Sequence, residues 1–282
     1  MSPRDQIVVT GAGGQVGRAL KLLLPEATYL THDALDVVDE ASVASALADA
    51  TSVIHLAAMT NVDGCESDPE RAHAINAHGT RNVAAAARES GGRVIYVSTD
   101  YVFDGEKDKE YETDDEPNPI NEYGRSKREG EKSVVSHPGN LVVRTSSVFG
   151  DGKNFVKTII AAARAGRDLR VVDDQISRPT AAVDVARALV HLVNGSTHGI
   201  VHVAGAGPAC SWAELAERAL RAAGLDTPVG RVDSNTYAAA AGREIAPRPA
   251  NSVLSLTAAQ NLGVPLADWR ASLKSYVEES QL

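Results

Sequence analysis

The sequence predicts an α/β protein with a doubly wound parallel sheet of the Rossmann type and a smaller, interleaved C-terminal substrate lobe. Short apolar, β-branched segments alternate with alanine-rich segments of helical length through the first 150 residues. Such alternation forms βαβ units, whose parallel sheet is covered by helices on both faces. A glycine-rich turn after the first strand and a Tyr-x-x-x-Lys spacing after the fourth are typical of the same fold.

The individual elements follow from composition and length. The predicted strands are residues 7–10, 27–30, 52–56, 93–97, 141–144 and 200–204. The predicted helices are residues 16–24, 72–88, 122–135, 155–165, 181–193 and 211–223. Residues 226–251 are predicted to be irregular. We therefore expect a dinucleotide-binding domain at 1–150, with further core elements near 181–205, and a substrate lobe formed mainly by 151–180 and 206–282.

The bulk properties narrow the function. A chain of 282 residues buries roughly 75% of its unfolded surface, enough for one large domain or a core with a smaller lobe. The net charge of -9 gives no basic surface for phosphate backbones, so we expect no nucleic-acid partner. The two cysteines, Cys65 and Cys210, lack metal-ligand spacing and are interpreted as structural thiols of a reduced compartment.

The N-terminus and the apolar runs predict a cytoplasmic protein. Residues 1–5 lead directly into the first strand, which leaves no room for a charged region followed by an apolar signal segment. No run reaches about 18 consecutive apolar residues, the length a membrane-spanning helix needs. We therefore expect no membrane association.

The segment Thr10-Gly-Ala-Gly-Gly-Gln-Val-Gly17 lies between the first strand and the first helix. Gly11 permits a tight turn, Gly14 allows close approach of a ligand, and Gly17 lets the helix pack on the strand. The N-terminus of that helix adds partial positive charge. The spacing is GxxGxxG rather than GxGxxG, and in this position it predicts binding of a dinucleotide pyrophosphate.

The end of the second strand indicates which dinucleotide is bound. Thr31 and His32 stand where an NAD-selective protein places a carboxylate on the ribose 2′-hydroxyl, and Arg18 adds positive charge. NADPH is therefore the expected cofactor, with NADH as the alternative. Asp36 is expected near the adenine, and the small residues that end the third strand near the nicotinamide ribose. The predicted cofactor-binding residues are Gly11, Gly14, Gln15, Val16, Gly17, Arg18, Thr31, His32, Asp36, Val37, Leu56, Ala57, Ala58, Thr60, Tyr123 and Lys127.

Tyr123 and Lys127 are spaced to share one face of a helix. A unit positive charge about 4 Å from a phenol, at an effective dielectric constant near 20, favours the phenolate by roughly 4 kcal/mol. This lowers the phenol pKa from about 10 toward neutrality, where general acids work best. We therefore expect Tyr123 to be a proton donor activated by Lys127.

Several segments together resemble the extended short-chain dehydrogenase/reductases, and among them the dTDP-4-dehydrorhamnose reductase family. The resemblance covers nearly the whole chain. The segments that carry it are the glycine turn, Ala57-Ala-Met-Thr-Asn-Val-Asp63, Ser98-Thr-Asp-Tyr-Val-Phe-Asp-Gly105, Asn118-Pro-Ile-Asn-Glu-Tyr-Gly-Arg-Ser-Lys127, Arg144-Thr-Ser146, Asp174-Gln-Ile-Ser-Arg-Pro-Thr180, Arg248-Pro-Ala-Asn-Ser252 and Asp268-Trp269.

The resemblance implies an NADPH-dependent reduction of the C4 ketone of a nucleotide-linked 6-deoxy-hexose. It makes Thr99, Tyr123 and Lys127 the catalytic triad. Thr99 and Tyr123 would act on the developing alkoxide, and Lys127 would also hold the ribose hydroxyls. The substrate-binding residues that it implies are Asp100, Tyr101, Asn154, Arg178, Thr180, Arg248 and Asn251.

Two positions depart from the family pattern. Ser147 stands where the family usually has a Trp beside the sugar, so dTDP-4-dehydro-L-rhamnose and related deoxysugars remain alternative substrates. Ala19 stands where some members have an acidic Mg²⁺ ligand, so no metal is expected.

Two other functions remain as alternatives. A nucleotide-sugar dehydratase or epimerase of the same superfamily is disfavoured because dehydratases follow Thr-Asp with Glu, whereas Tyr101 follows Asp100 here. A non-catalytic NADP-binding regulatory subunit is disfavoured because the triad is retained. The expected partners are a nucleotide-sugar substrate and a second copy of the chain in a homodimer.

Overall fold

The computed structural model of the chain describes residues 6–242 and 244–282. The expectation about the N-terminus rests on residues 1–5, which lie outside the described residues. The described strands, in chain order, are β1 (Ile7–Thr10), β2 (Thr28–Leu30), β3 (Ser52–His55), β4 (Arg93–Thr99), β5 (Leu141–Thr145), β6 (Val148–Phe149), β7 (Arg170–Val172), β8 (Ile176–Ser177), β9 (Thr180–Ala181), β10 (Gly199–His202), β11 (Cys210–Ser211) and β12 (Gly230–Val232).

The helices connect these strands. In the described part of the chain, none is long and apolar enough to cross a bilayer. A π-helical turn at Ala74–Gly79 and a 3-10 turn at Asp100–Val102 accompany them. The α-helices are α1 (Gln15–Leu23), α2 (Glu40–Ala46), α3 (Val62–Ser67), α4 (Pro69–His73), α5 (Thr80–Glu89), α6 (Glu122–Val135), α7 (Phe155–Arg164), α8 (Ala182–Val193), α9 (Trp212–Ala222), α10 (Ser234–Ala240), α11 (Thr257–Asn261) and α12 (Trp269–Glu279).

Six strands form one parallel sheet in the order β10-β5-β4-β3-β1-β2. Successive residues of β1 point to opposite faces, so Val8 packs into the apolar layer under α2 and α5, and Val9 into the layer under α1 and α8. The predicted doubly wound parallel sheet is therefore confirmed. The order in which the strands are added to the sheet changes direction between β1 and β3. At such a point α/β proteins bind ligands outside the carboxyl ends of the strands.

A second apolar core lies under the later elements. It joins α7, α9 and α12, with Val156, Leu215 and Trp269 among its buried members. The strand β10 and the helix α8 instead belong to the main sheet and its covering layer. The division into a dinucleotide-binding domain and a substrate lobe stays a prediction.

Two sequence predictions about the helices need correction. The helix predicted over residues 72–88 is broken by the π-helical turn. Asn76 in that turn is fully buried, and its amide bonds the backbone N–H and C=O of Met59 at 2.8 and 3.1 Å and Ser126 Oγ at 3.0 Å. Through these bonds, Asn76 in the wider turn connects the loop after β3 to α6. Such π-turns interrupt helices near functional sites.

The second correction concerns residues 226–251, which are not wholly irregular. They contain β12 and α10, but α10 has no buried residue and therefore no hydrophobic periodicity to reveal it. The helix begins instead at Asp233, whose carboxylate accepts the N–H of Thr236 at 2.7 Å, and Ser234 bonds Asp174.

A buried ion pair fixes α6 against the sheet. Arg144 on β5 donates to both carboxylate oxygens of Glu131 on α6, at 2.9 and 2.8 Å, and both side chains are fully buried. Bidentate geometry satisfies the donors and acceptors that burial would otherwise leave unpaired. The first two turns of α6, which carry Tyr123 and Lys127, are thereby held beside the ends of β4 and β5.

Candidate active site

A cavity of about 1660 Å³ opens at the carboxyl ends of β1, β3, β4 and β5. Its walls come from the glycine turn after β1, the loops after β2 and β3, the first turn of α6, and the later segments near α7, α9 and α10. A space of this size exceeds the roughly 300–1,000 Å³ of an ordinary small-molecule pocket. It therefore has room for a dinucleotide and a second ligand.

The glycine turn has the shape of a phosphate cradle. Gly11 has φ +68°, and a Cβ there would lie 2.4 Å from the backbone nitrogen of Ala57. A Cβ on Gly17 would lie 2.6 Å from the carbonyl oxygen of Ala12, so both positions require glycine. Helix α1 starts at Gln15 without a side-chain cap, and Gln15 Oε1 is buried without a hydrogen-bond partner. The uncapped first turn of α1 thus leaves backbone N–H donors for a bound pyrophosphate, whereas Gln15 Oε1, an acceptor, suits a hydroxyl group instead.

Most of the predicted cofactor residues line this cavity, but two do not. Arg18 turns to Asp151, with its Nε 3.3 Å from the carboxylate and its Nη2 3.1 Å from the carbonyl oxygen. Thr31 is exposed beside Gly13, just outside the lining, while its neighbour His32 lines the cavity. The predicted residues along the wall are Gly11, Gly14, Gln15, Val16, Gly17, His32, Asp36, Val37, Leu56, Ala57, Ala58, Thr60, Tyr123 and Lys127.

Thr99 and Tyr123 meet at the catalytic end of the cavity. Thr99 is the last residue of β4, and Tyr123 lies in the first turn of α6, which starts at Asn121 through a 2.8 Å bond from the N–H of Gly124. The Thr99 hydroxyl lies beside the phenol of Tyr123, whose pKa it lowers. The ring of Tyr101 packs edge-on against the Tyr123 ring, with centroids 6.0 Å apart. A hydroxyl pair is thus presented to the cavity.

The expected effect of Lys127 on the Tyr123 pKa is not found. Burial raises the pKa of Tyr123 above its ordinary value, and the neighbouring Thr99 hydroxyl opposes the rise. Lys127 Nζ instead donates to the carbonyl oxygen of Val97 at 2.8 Å and lies 4.0 Å from the ring centroid of Tyr96. Burial lowers the pKa of Lys127 to about 7. The i, i+4 spacing therefore does not by itself aim the ammonium at the phenol.

Asp100 is buried directly behind Thr99. Its carboxylate accepts hydrogen bonds from Thr99 Oγ1 at 3.0 Å and from Ser252 Oγ at 2.5 Å. Burial raises the pKa of Asp100 to about 7, although both hydrogen bonds oppose the rise. Both carboxylate oxygens are thus occupied by protein groups.

Two other residues expected near the substrate also line the cavity, namely Tyr101 and Arg248. Arg248 forms an ion pair with Asp63, with Nη2 and Oδ1 2.5 Å apart, and its charge lowers the pKa of the nearby Tyr101 phenol, against the larger effect of burial. Asp63, which sequence reasoning did not single out, therefore holds the guanidinium at the cavity wall. Its position after the third strand was the available signal.

The remaining four expected substrate residues do not line the cavity, because their polar groups bond the surrounding chain. Asn154 caps α7 and bonds the carbonyl oxygen of Gly150 at 2.6 Å. Arg178 forms an ion pair with Glu110. Thr180 Oγ1 bonds the carbonyl oxygen of Arg178 at 3.1 Å, and Asn251 bonds that of Lys107 at 2.6 Å. We leave Asn154, Arg178, Thr180 and Asn251 out of the proposed site.

Several cavity residues were not foreseen as ligand contacts. Ser98 Oγ and Thr145 Oγ1 are buried without a hydrogen-bond partner, and Thr145 lies directly opposite Thr99 in the β4–β5 register. Ser147, with φ +45°, bonds Ser177 Oγ at 2.7 Å. The rule that ligands meet the ends of parallel strands would have pointed to Thr145. Among the described residues, no cluster of three or more His, Cys, Asp or Glu side chains suits a metal ion.

Comparisons with known proteins agree with this geometry. A family model described as RmlD substrate binding domain matches residues 5–282. The chain is 40% identical to the dTDP-4-dehydrorhamnose reductase of Mycolicibacterium smegmatis, over 97% of this chain and 85% of the relative. It is 37% identical to a spore coat polysaccharide biosynthesis protein of Bacillus subtilis, over 97% of each chain.

A solved structure is also similar. The dTDP-4-dehydrorhamnose reductase of Bacillus anthracis, crystallised in complex with NADP, superposes with a TM-score of 0.91. The two are 33% identical, and the match covers 98% of this chain and 99% of the other. The similarity therefore extends over the sheet and the second lobe alike.

Proposed function

The chain belongs to the RmlD substrate binding domain family, the family of the dTDP-4-dehydrorhamnose reductases, and from this premise we propose that it is an NADPH-dependent oxidoreductase. Its reaction is the reduction of the C4 ketone of a nucleotide-linked 6-deoxy-4-ketohexose, either dTDP-4-dehydro-L-rhamnose or a related deoxysugar. The observation that carries the proposal is that Thr99 and Tyr123 lie side by side on the wall of the cavity that the glycine cradle also lines.

The chemistry divides between cofactor and protein. Bound NADPH supplies the hydride that converts the carbonyl carbon into an alkoxide carbon. Tyr123 gives its phenolic proton to the developing alkoxide oxygen, and Thr99 stabilises that oxygen with a hydrogen bond. Lys127, one turn further along α6, lines the cofactor wall, where its side chain would hold the ribose hydroxyls. The glycine turn holds the pyrophosphate through backbone amides.

The structure bears on the sugar as well. Ser147 lines the cavity where the family usually has a Trp, and its hydroxyl is held by Ser177 rather than free for a ligand. A small residue there leaves space where an aromatic ring would contact the hexose. The proposed substrates therefore include deoxysugars with a substituent on that face.

The alternative of a dehydratase or epimerase lacks a base at the required position. Tyr101 replaces the glutamate of dehydratases, and burial raises the pKa of Tyr101 above its ordinary value, so the phenol stays neutral. The regulatory-subunit alternative leaves the Thr99–Tyr123 pair without a role. Reduction is the function that the site supports best.

The test is an assay of NADPH oxidation with a panel of nucleotide-linked 4-keto-6-deoxysugars, followed by NMR analysis of the products. We expect consumption of NADPH with at least one member and an alcohol at C4 in the product. If no sugar is reduced by protein that binds NADPH, the proposed function is wrong. Co-purified, tightly held NAD would support the epimerase.

The substitution Thr31→Asp is expected to shift cofactor preference toward NADH. Thr31 and His32 are both exposed at the end of β2, where the 2′-phosphate of NADPH is proposed to lie. A carboxylate about 4 Å from that phosphate costs about 1 kcal/mol in water, so the kcat/KM ratio of NADPH to NADH should fall about fivefold. Steady-state kinetics with both cofactors measure it.

The matched control is Thr28→Asp, which adds the same charge at the exposed opposite end of the same strand. An unchanged cofactor ratio in Thr31→Asp, or an equal change in both variants, would mean that the 2′-phosphate does not lie beside Thr31. The homodimer and the cytoplasmic location also stay predictions, and light scattering of the purified protein tests the former.

A further inference from the structure

Asp100 is the centre of a buried hydrogen-bond chain that joins the catalytic end of β4 to the C-terminal segment. Residues 246–252, which we name the strap, run across this end of the cavity. Ser252 of the strap donates its hydroxyl proton to one Asp100 oxygen at 2.5 Å, and Thr99 donates to the other at 3.0 Å. Asp100 and Ser252 are 2% and 3% exposed. Water therefore does not compete for either bond.

The direction of each bond follows from counting protons. Thr99 has one hydroxyl proton, and in this structure Asp100 receives it. The Thr99 oxygen also accepts the backbone N–H of Tyr101 at 3.1 Å. In this arrangement the Thr99 hydroxyl proton points into the protein and not toward a substrate oxygen.

Protonation of Asp100 reverses the direction of its hydrogen bond with Thr99. A neutral carboxyl group has a proton to give, so Asp100 donates to the Thr99 oxygen, and the Thr99 proton turns toward the cavity. The Thr99 hydroxyl then becomes a donor to the oxygen that gains charge during reduction, which is what an oxyanion site requires.

On this basis we propose that Asp100 is a positioning residue, whose protonation, set by Ser252, switches the Thr99 hydroxyl from an inward to an outward hydrogen bond and so prepares the site for reduction. The inference rests on the proposed function. It differs from a direct sugar contact, because both carboxylate oxygens already bond the protein.

The ionisable groups around Asp100 permit such a switch near neutral pH. Burial raises the pKa of Asp100 to about 7. Tyr101 and Tyr123 face it from the 3-10 turn and α6, and burial keeps both phenols neutral. Arg248 and Asp63, which face Tyr101, form an ion pair with each other. Cys65 faces Tyr123, and burial raises its pKa to about 11.

The experiment compares pH profiles of kcat/KM between pH 6 and 9 in the full chain, with NADPH and a nucleotide-linked 4-keto sugar that the protein reduces. In Asp100→Asn the amide donates to Thr99 and accepts from Ser252 at every pH. The factor by which kcat/KM falls from pH 6 to pH 8.5 should therefore be at least about tenfold smaller in Asp100→Asn than in the parent, since one oxyanion donor contributes about 10²–10³-fold. Lys127 also titrates in this range but is common to both proteins.

Ser252→Ala removes the donor that favours the ionised carboxylate. The alkaline decline should move about one pH unit upward, because a hydrogen bond to a charged group is worth at least one such unit. The matched control is Ser255→Ala, since Ser255 is equally buried and bonds Thr257 rather than Asp100. The alkaline decline of kcat/KM in Ser255→Ala should occur at the same pH as in the parent. Equal profiles for the parent, Asp100→Asn and Ser252→Ala would overturn the proposal.

A second measurement does not depend on turnover. Carboxyl-¹³C NMR of aspartate-labelled protein without ligands should show one resonance that titrates near pH 7, is lost in Asp100→Asn and moves upward in Ser252→Ala. If the parent reduces no sugar, the proposed function fails while this titration still tests the Ser252–Asp100 link. A resonance that is unaffected by Ser252→Ala would reject that link.

Discussion

Replacing Tyr123 by Phe is expected to lower kcat about 10²–10⁴-fold, the contribution of a positioned general acid. The phenol is the group that meets Thr99 at the cavity wall, and the phenylalanine ring fills the same volume without a proton to give. NADPH binding should persist, because the glycine cradle and the ends of β1 and β3 are untouched. Single-turnover kinetics and titration of NADPH fluorescence separate the two effects.

The matched control for this substitution is Tyr276→Phe. Its phenol donates to the carbonyl oxygen of Gly150 at 2.7 Å and does not line the cavity, so kcat should stay close to that of the parent. Turnover of Tyr123→Phe within about tenfold of the parent would remove Tyr123 from the role of proton donor. A loss of NADPH binding would instead indicate a structural role for the phenol.

The parts of the site that depend on local sequence can be predicted from the sequence alone. Gly11 and Gly17 are needed wherever a strand turns tightly into a packed helix, so their spacing indicates a cradle before any tertiary contact is known. The strands around them are short runs of buried, β-branched residues, which is a property of the run itself. Thr99 and Tyr123 came from motifs within single elements, and the fold then places them together.

Side-chain directions that depend on distant segments were not predictable in the same way. The spacing of Tyr123 and Lys127 gives a shared helix face, but Val97 and Tyr96 on β4 decide where the ammonium points. Asn154 illustrates the same limit, because the same amide suits a helix cap or a substrate contact. Only the position of the neighbouring carbonyl of Gly150 distinguishes these roles.

Lys127→Met is expected to lower kcat/KM about 10²-fold and at the same time to stabilise the fold. The activity falls because the side chain that is proposed to hold the cofactor ribose at the cavity wall is lost. The stability rises because burying the ammonium is costly, and its pKa falls from 10.5 to about 7, which corresponds to about 5 kcal/mol. Loss of the hydrogen bond from Lys127 to Val97 lowers this gain in the free energy of unfolding by about 1–2 kcal/mol. A net gain of about 3 kcal/mol at pH 7 remains.

The stability difference between Lys127→Met and the parent should depend on pH. In the parent, the unfolded chain holds the Lys127 proton up to about pH 10.5 and the folded chain only to about pH 7, so parental stability rises between these values. The methionine variant lacks that rise, and its advantage in urea unfolding should therefore shrink from pH 7 toward pH 10. Lys274→Met, on an exposed side chain, is the control that should show no such trend. If Lys127→Met is less stable than the parent at pH 7, the prediction is wrong. The buried ammonium would then stabilise the fold, instead of destabilising it for the benefit of the reaction.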